Sequence, residues 1–246
     1  MKKKVICVIS ARGGSGGLPN KNIKKLINKP LIVWSIEQAK KTKEIDRIVV
    51  CTDSKKIQSI SIKAGAESPF LRPKNLSTSR VGKFKVFKYA LKACEKFYKE
   101  SYEIYLDLDC TNPLRSSKDI SNCISQFRKS YKKNKVSAVI TICMARKNPY
   151  FNLVEKKKNN SLKISKKLNS NIIRRQDAPE VFEVVASICA INPNYIKKAN
   201  YLLDGHTEGY NIGQHKSLDI DSKFDYQLME FLLKKKIKYE KYLNRN

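Results

Sequence analysis

Short apolar runs alternate with lysine-rich amphipathic stretches along most of the chain. Residues 5–9, Val-Ile-Cys-Val-Ile, make a run of buried-strand length. Residues 30–41 follow with Leu31, Trp34, Ile36 and Ala39 available to cover a sheet, and Pro30 suits a first helical turn. A second strand reads over 45–51, closes in Thr52-Asp53-Ser54, and gives way to a helix at 55–63. Residues 81–99 set Phe84, Phe87, Ala90 and Leu91 on one helical side, and 102–108 return to strand alternation. Residues 136–143 are the purest apolar strand and are assigned to the sheet centre. A strand at 183–191, a helix at 194–203 and a last amphipathic helix carrying Tyr226, Leu228, Phe231 and Leu232 complete the pattern. Strands alternating with helices predict an α/β, doubly wound, parallel sheet, whose right-handed crossovers place ligands at the carboxyl ends of strands.

The rhythm breaks between 148 and 176, where short strand-like pieces surround a lysine- and asparagine-rich turn at 156–161. A polar hairpin of this kind has no core of its own and leans on a partner. The 246 residues otherwise suffice for one large domain, 1–246.

The first strand empties into Arg12-Gly13-Gly14-Ser15-Gly16-Gly17, with Lys21 and Asn22 close behind. Glycine backbones let N–H groups converge on an anion without a Cβ in the way, so this cationic loop is the first candidate phosphate cradle. No Gly-Lys-Ser/Thr closes it, which excludes a Walker loop, and Pro19 stands where a dinucleotide fingerprint needs its last glycine. Gly13-Gly14-Ser15-Gly16-Gly17 fits the nucleophile-elbow expression, but it follows the first strand, before any sheet could support that elbow.

Two carboxylate pairs are spaced for one strand face. Asp107 and Asp109 alternate at the end of the strand at 102–108, with Asp109 at its carboxyl edge as either a metal or ribose contact or an N-cap for the helix near Ser116. Asp219 and Asp221 flank Ile220, an arrangement in which two carboxylates can share a magnesium ion that also holds phosphate oxygens. A capping role would account for Asp221 alone.

Composition narrows the class. The formal charge is +29 with a pI near 9.8, the footprint of many nucleic-acid binders. The lysines are spread over every predicted helix, and no RNA-binding aromatic signature or zinc finger accompanies them, so a solvated surface without a specific nucleic-acid partner is the reading. Seven cysteines, without a C-x-x-C pair, read as reduced core residues rather than disulfides or a zinc site. No apolar segment approaches bilayer-spanning length and no signal peptide is evident, which points to the cytoplasm.

Residues 11–23, Ala-Arg-Gly-Gly-Ser-Gly-Gly-Leu-Pro-Asn-Lys-Asn-Ile, resemble the signature of the acylneuraminate cytidylyltransferases, which make CMP-activated sialic, legionaminic and related nonulosonic acids. Ser-Leu-Asp-Ile-Asp at 217–221 is similar to that family's metal motif, and Thr111, Pro113, Leu114 and Arg115 match a further one. The resemblance implies a three-layer, doubly wound, mostly parallel sheet of the nucleotide-diphospho-sugar transferase type, with a small dimerisation and sugar-contact insertion at 146–182. It implies catalytic roles for Arg12, Lys21, Asp219 and Asp221, with Mg2+ on the two aspartates. Arg12, Gly13, Gly14, Ser15, Asn22, Arg72 and Asp109 would hold CTP. Arg175 and Gln176 would meet a 2-keto-3-deoxy sugar acid, and the chain would form a homodimer. A nucleotidyltransferase for another sugar or base is the alternative. The chain departs from the family at Gly16, where lysine is usual, at Ser79, Lys83 and Asp109, where aspartate, serine and glutamine are usual, and near Phe151 and Val185.

Overall fold

The computed structural model describes residues 4–14, 16–169 and 172–243. In chain order the strands are β1 (Val5–Ser10), β2 (Lys25–Leu26), β3 (Lys29–Pro30), β4 (Arg47–Cys51), β5 (Ile104–Leu108), β6 (Ala138–Met144), β7 (Val154–Lys156), β8 (Leu162–Ile164), β9 (Phe182–Ile191) and β10 (Thr207–Asn211). The helices are α1 (Leu31–Lys40), α2 (Lys55–Lys63), α3 (Lys83–Tyr98), α4 (Ser117–Asn134), α5 (Pro193–Lys198) and α6 (Lys223–Leu243).

Six strands form one sheet in the order β10-β6-β9-β5-β1-β4. β1 pairs in parallel with β4 and β5, and β6 with β10, whereas β9 runs antiparallel to both β5 and β6. Strands β4, β1, β5, β6 and β10 therefore point their carboxyl ends to one edge. β1 shows why the sheet needs cover on two sides: Val5, Cys7 and Ile9 enter the core beneath α1, α2 and α4, while Ile6 and Val8 enter the core beneath α3 and α5. The result is three layers. A third apolar cluster, with Leu18, Leu26, Leu31, Leu114, Ile220 and Met229, fastens α6 to the β2–β3 hairpin and the start of α1.

Three expectations change. β6 is one strand in from the edge rather than central, because β10 pairs outside it; Thr-Glu-Gly-Tyr-Asn is too polar to read as a strand until β6 supplies a partner. α5 spans six residues, capped by the Asn192 side chain, and stops well short of residue 203. Asp109 does not cap α4. Ser116 and Asp119 form a reciprocal capping box there, with Ser116 N donating to Asp119 Oδ2 at 2.7 Å and Asp119 N to Ser116 Oγ at 3.2 Å. Ser222 and Asp225 cap α6 in the same reciprocal way, which leaves Asp221 free of that task.

All seven cysteines are buried free thiols, as expected, and burial pushes Cys51, Cys94, Cys110 and Cys123 up to about 12. No helix among the described residues is long and apolar enough to cross a membrane.

Candidate active site

A cavity of about 410 Å³ opens over the carboxyl ends of β1, β4 and β5. Ser10, Arg12, Gly16, Gly17, Lys21 and Asn22 line it from the first loop, Arg72, Leu76, Thr78 and Ser79 from the segment after β4, and Val81, Lys83 and Val86 from the start of α3. Asp221 closes it from the far end of the chain.

The two halves of the site are stitched together directly. Lys21 Nζ donates to the Ile220 carbonyl at 2.6 Å and to Asp221 Oδ1 at 3.1 Å. A Cβ on Gly17 would lie inside contact distance of the Asp221 carbonyl, so glycine is what allows the loop to approach that strand of backbone. Ile220 N donates to Thr111 O at 3.1 Å, and the Asn112 amide to Lys216 O at 2.7 Å. Lys216 in turn grips the buried Asp119 carboxylate at 2.9 Å. Thus the segment 216–221 is held by the loop after β5 and the loop after β1, with Ile220 as its apolar plug.

Not every residue of the first loop faces the cavity. Gly13 N donates to Asp53 Oδ1 at 2.8 Å, and neither Gly13 nor Gly14 lines the cavity; Gly16 and Gly17 do. Ser15 lies outside the described residues. Asn22 is buried, with its amide donating to the Arg12 carbonyl at 3.0 Å, so it braces the loop from within the wall. Arg72 is 5% exposed: Nε donates to Ser77 Oγ at 3.0 Å, and Asp53 Oδ1 lies 3.9 Å from the guanidinium.

Asp107 and Asp109 do share a face. Lys83 Nζ sits 2.7 Å from Asp107 Oδ2 and 2.5 Å from Asp109 Oδ2. Burial raises the pKa of Asp107, Asp109 adds to the rise, and the Lys83 ammonium opposes it. For Lys83, burial works against the charged form, yet the two carboxylates outweigh it and raise the pKa. Beneath them, Arg115 is fully buried and donates to the Asp109 carbonyl at 2.7 Å and to Asn112 O at 2.8 Å; Nη2 donates to Ser35 Oγ at 2.6 Å. This guanidinium fixes the loop that carries Asp109, and burial lowers its pKa.

Asp219, two residues before Asp221, does not line the cavity. Burial raises its pKa, a hydrogen bond from Thr111 and the charge of Lys21 oppose the rise, and Asp221 and Asp109 reinforce it. Asp219 Oδ1 is buried without a hydrogen-bond partner. A buried, unpartnered carboxylate oxygen beside a second carboxylate is a cation-binding donor set. Among the described residues no three His, Cys, Asp or Glu side chains gather to hold a metal ion.

Arg175 and Gln176 are not in this cavity. Both are exposed in a short 3-10 turn, and Arg175 Nη2 donates to Ala145 O at 3.0 Å, just beyond β6. They lie over the same carboxyl edge, displaced by two strands from β5. The ion pair with Asp177 belongs to Arg174, at 2.9 Å. Asp53 is the support that pattern reading missed, its one signal being its place at the end of β4, and Arg115, which matched a family motif, had no role assigned to it.

A cytidylyltransferase family model matches residues 6–243. A CMP-N,N'-diacetyllegionaminic acid synthase from Campylobacter jejuni is 38% identical over 230 residues, covering 94% of this chain and 95% of that one. Post-translational flagellin modification protein B of Campylobacter coli is 35% identical over 233 residues, with 95% and 96% covered. An N-acylneuraminate cytidylyltransferase from Escherichia coli is 28% identical over 96% of this chain and 54% of its own. In fold, the chain superposes on a CMP:2-keto-3-deoxy-manno-octonic acid synthetase complexed with CTP at a TM-score of 0.71 and 14% identity, over 95% of this chain and all of that one. A 4-diphosphocytidyl-2C-methyl-D-erythritol synthase from Anaerococcus prevotii gives 0.64 at 16%, over 94% and 99%.

Proposed function

The chain belongs to the cytidylyltransferase family, and from that premise we propose that it activates a nonulosonic acid of the legionaminic or sialic type with CTP. The anomeric hydroxyl oxygen bonds to the α-phosphorus, the bond from that phosphorus to the bridging oxygen breaks, and pyrophosphate leaves with the electron pair. The hydroxyl proton passes to solvent. The observation that carries this reading is the convergence of Arg12, Lys21 and Asp221 in one cavity at the carboxyl edge. Phosphoryl transfer needs positioning and charge neutralisation more than covalent chemistry, and that is what these groups provide.

In this reading Arg12 and Lys21 neutralise the phosphates, Gly16 and Gly17 admit them close to the backbone, and the buried Arg72 meets the nucleoside end among Leu76, Thr78 and Val81. Asp219 and Asp221 would hold Mg2+, supported by the unpartnered Asp219 oxygen. When bound, the ion supplies charge neutralisation at the phosphates and lowers the pKa of the attacking hydroxyl. Asp109 neighbours this pair and is a third carboxylate in its field.

Arg175 and Gln176 are assigned to the sugar carboxylate, for which an arginine fork is suited. The arm that bears them, 146–182, is proposed as a dimer contact. It exposes Leu153, Val154, Leu162, Leu168, Ile173 and Phe182, too many apolar side chains for a solvated arm. We place the reaction in the cytoplasm, where CTP is made.

The test is pyrophosphate release with CTP, Mg2+ and a panel of nonulosonic acids. Turnover with a legionaminic- or sialic-type acid is expected; silence with every acid, and with UTP, GTP and ATP in place of CTP, would remove the assignment. The positive surface predicts only weak, steeply salt-dependent nucleic-acid binding, which a filter-binding titration reads.

A further inference from the structure

Lys83 stands where local rules place no cation. It is the first residue of α3, whose N-cap, Gly82, offers no side-chain hydrogen bond and whose first turn holds no acid. A positive charge there opposes the helix dipole. The side chain nevertheless reaches across to β5 and the ammonium settles between Asp107 and Asp109, on a cavity wall that Val81 and Val86 continue. Asp107 is 1% exposed, so the fold places a carboxylate inside the sheet and leaves its neutralisation to a lysine on another element.

Neutralising Asp107 does not exhaust what Lys83 offers. An ammonium has three N–H donors. One donates to Asp109 Oδ2, Asp107 Oδ2 lies 2.7 Å away as an ion-pair partner and the Phe87 ring centroid 5.6 Å away, no other protein acceptor is found among the described residues, and the side chain as a whole is 45% exposed. The N-terminus of α3, which has no side-chain cap, lines the same cavity as the loop of Arg12 and Lys21.

Building on the cytidylyltransferase reading, we propose that Lys83 is a nucleotide-contacting residue: Asp107 and Asp109 aim its ammonium, and the remaining N–H binds an oxygen of the CMP portion of the substrate. Asp107 and Asp109 are then positioning residues. A lysine serving only to neutralise Asp107 would make the same ion pairs without ever touching the ligand, and the two roles separate in a double-variant experiment.

Calorimetric titration of CMP and of CTP, alongside thermal melts, is run on wild type, K83M, D107N and K83M/D107N. K83M is expected to melt lower, because it strands a buried carboxylate, and K83M/D107N to recover wild-type melting. The double variant is expected to bind CMP and CTP about tenfold more weakly, and by the same factor, as befits one lost charge-assisted hydrogen bond. Wild-type CMP affinity in a K83M/D107N protein that melts normally would overturn the contact, as would weakening confined to CTP. Wild type that binds neither nucleotide would overturn the cytidylyltransferase reading and this contact with it. A measurement on unaltered protein covers the case in which the variants do not fold: CMP is expected to slow acetylation of Lys83 several-fold, read by peptide mass spectrometry, and equal rates with and without CMP would overturn the proposal.

Discussion

The carboxyl edge of the sheet is built in two ways. Over β1, β4 and β5 three of the four cationic side chains that line the cavity are tied to other elements: Arg72 to Asp53 and Ser77, Lys21 to Ile220 and Asp221, Lys83 to Asp107 and Asp109. Over β6, Arg175 makes one hydrogen bond, to Ala145, and its arm is a hairpin with exposed apolar side chains. The first half is preorganised by the protomer's own core. The second carries polar groups on an element too small to hold itself rigid, so its geometry waits on whatever covers it.

The sharpest way to break that contrast is charge removal on each side. Asp219→Asn or Asp221→Asn is expected to cut pyrophosphate release by about 10³-fold, as loss of one preorganised electrostatic element does. Arg175→Ala is expected to leave CTP affinity unchanged and raise KM for the sugar acid by roughly tenfold or more. Calorimetry and steady-state kinetics separate the two; equal losses of CTP binding would erase the division between halves.

A methyl group tests the rigidity of the preorganised side. Gly17→Ala drives a Cβ into the Asp221 carbonyl, and displacement of the aspartate by even about 1 Å is expected to lower kcat/KM near 10²-fold. The melting temperature should move by only a few degrees, since Gly17 is exposed. The apolar face of the arm and of the adjoining start of β9 is tested by Phe182→Ser with Val184→Ser, which is expected to weaken self-association at least tenfold in sedimentation velocity while CTP affinity persists.

The opposite edge of the sheet provides the smallest effect and the control. There Arg47 and then Lys4 hold the Glu100 carboxyl down to about 2 from its ordinary value near 4.5. A carboxyl depressed by folding contributes stability that is complete above about pH 4.5 and is lost as the pH falls toward 2. Glu100→Gln should flatten that acid slope in thermal melts between pH 5 and 2, with no change in nucleotide affinity.

Much of the architecture was legible because burial on two faces forces an unmistakable pattern. β1 is apolar from Val5 to Ile9, since one set of side chains enters each core layer; the cap of α2 by Ser54 and the amphipathic side of α3 follow from local rules. β10 was not legible: an edge strand is half solvated, and only pairing with β6 makes Thr-Glu-Gly-Tyr-Asn extended. In the site, the candidate list held Arg12, Lys21 and Asp221 from motif and spacing, and Arg72 from the family resemblance. It did not hold Asp53 or the clamp of Lys83, because those depend on which loops face one another.

By itself, then, the chain of residues determined the layered α/β framework and the identity of the charged groups, since periodicity, caps and glycine tolerance act within a few positions of sequence. Only the tertiary structure decided which charges meet. Lys21 and Asp221 lie 200 residues apart and 3.1 Å from contact to contact, a proximity imposed by Ile220 sinking into the cluster beneath α6 and by Gly17 having no side chain to keep the two backbones apart.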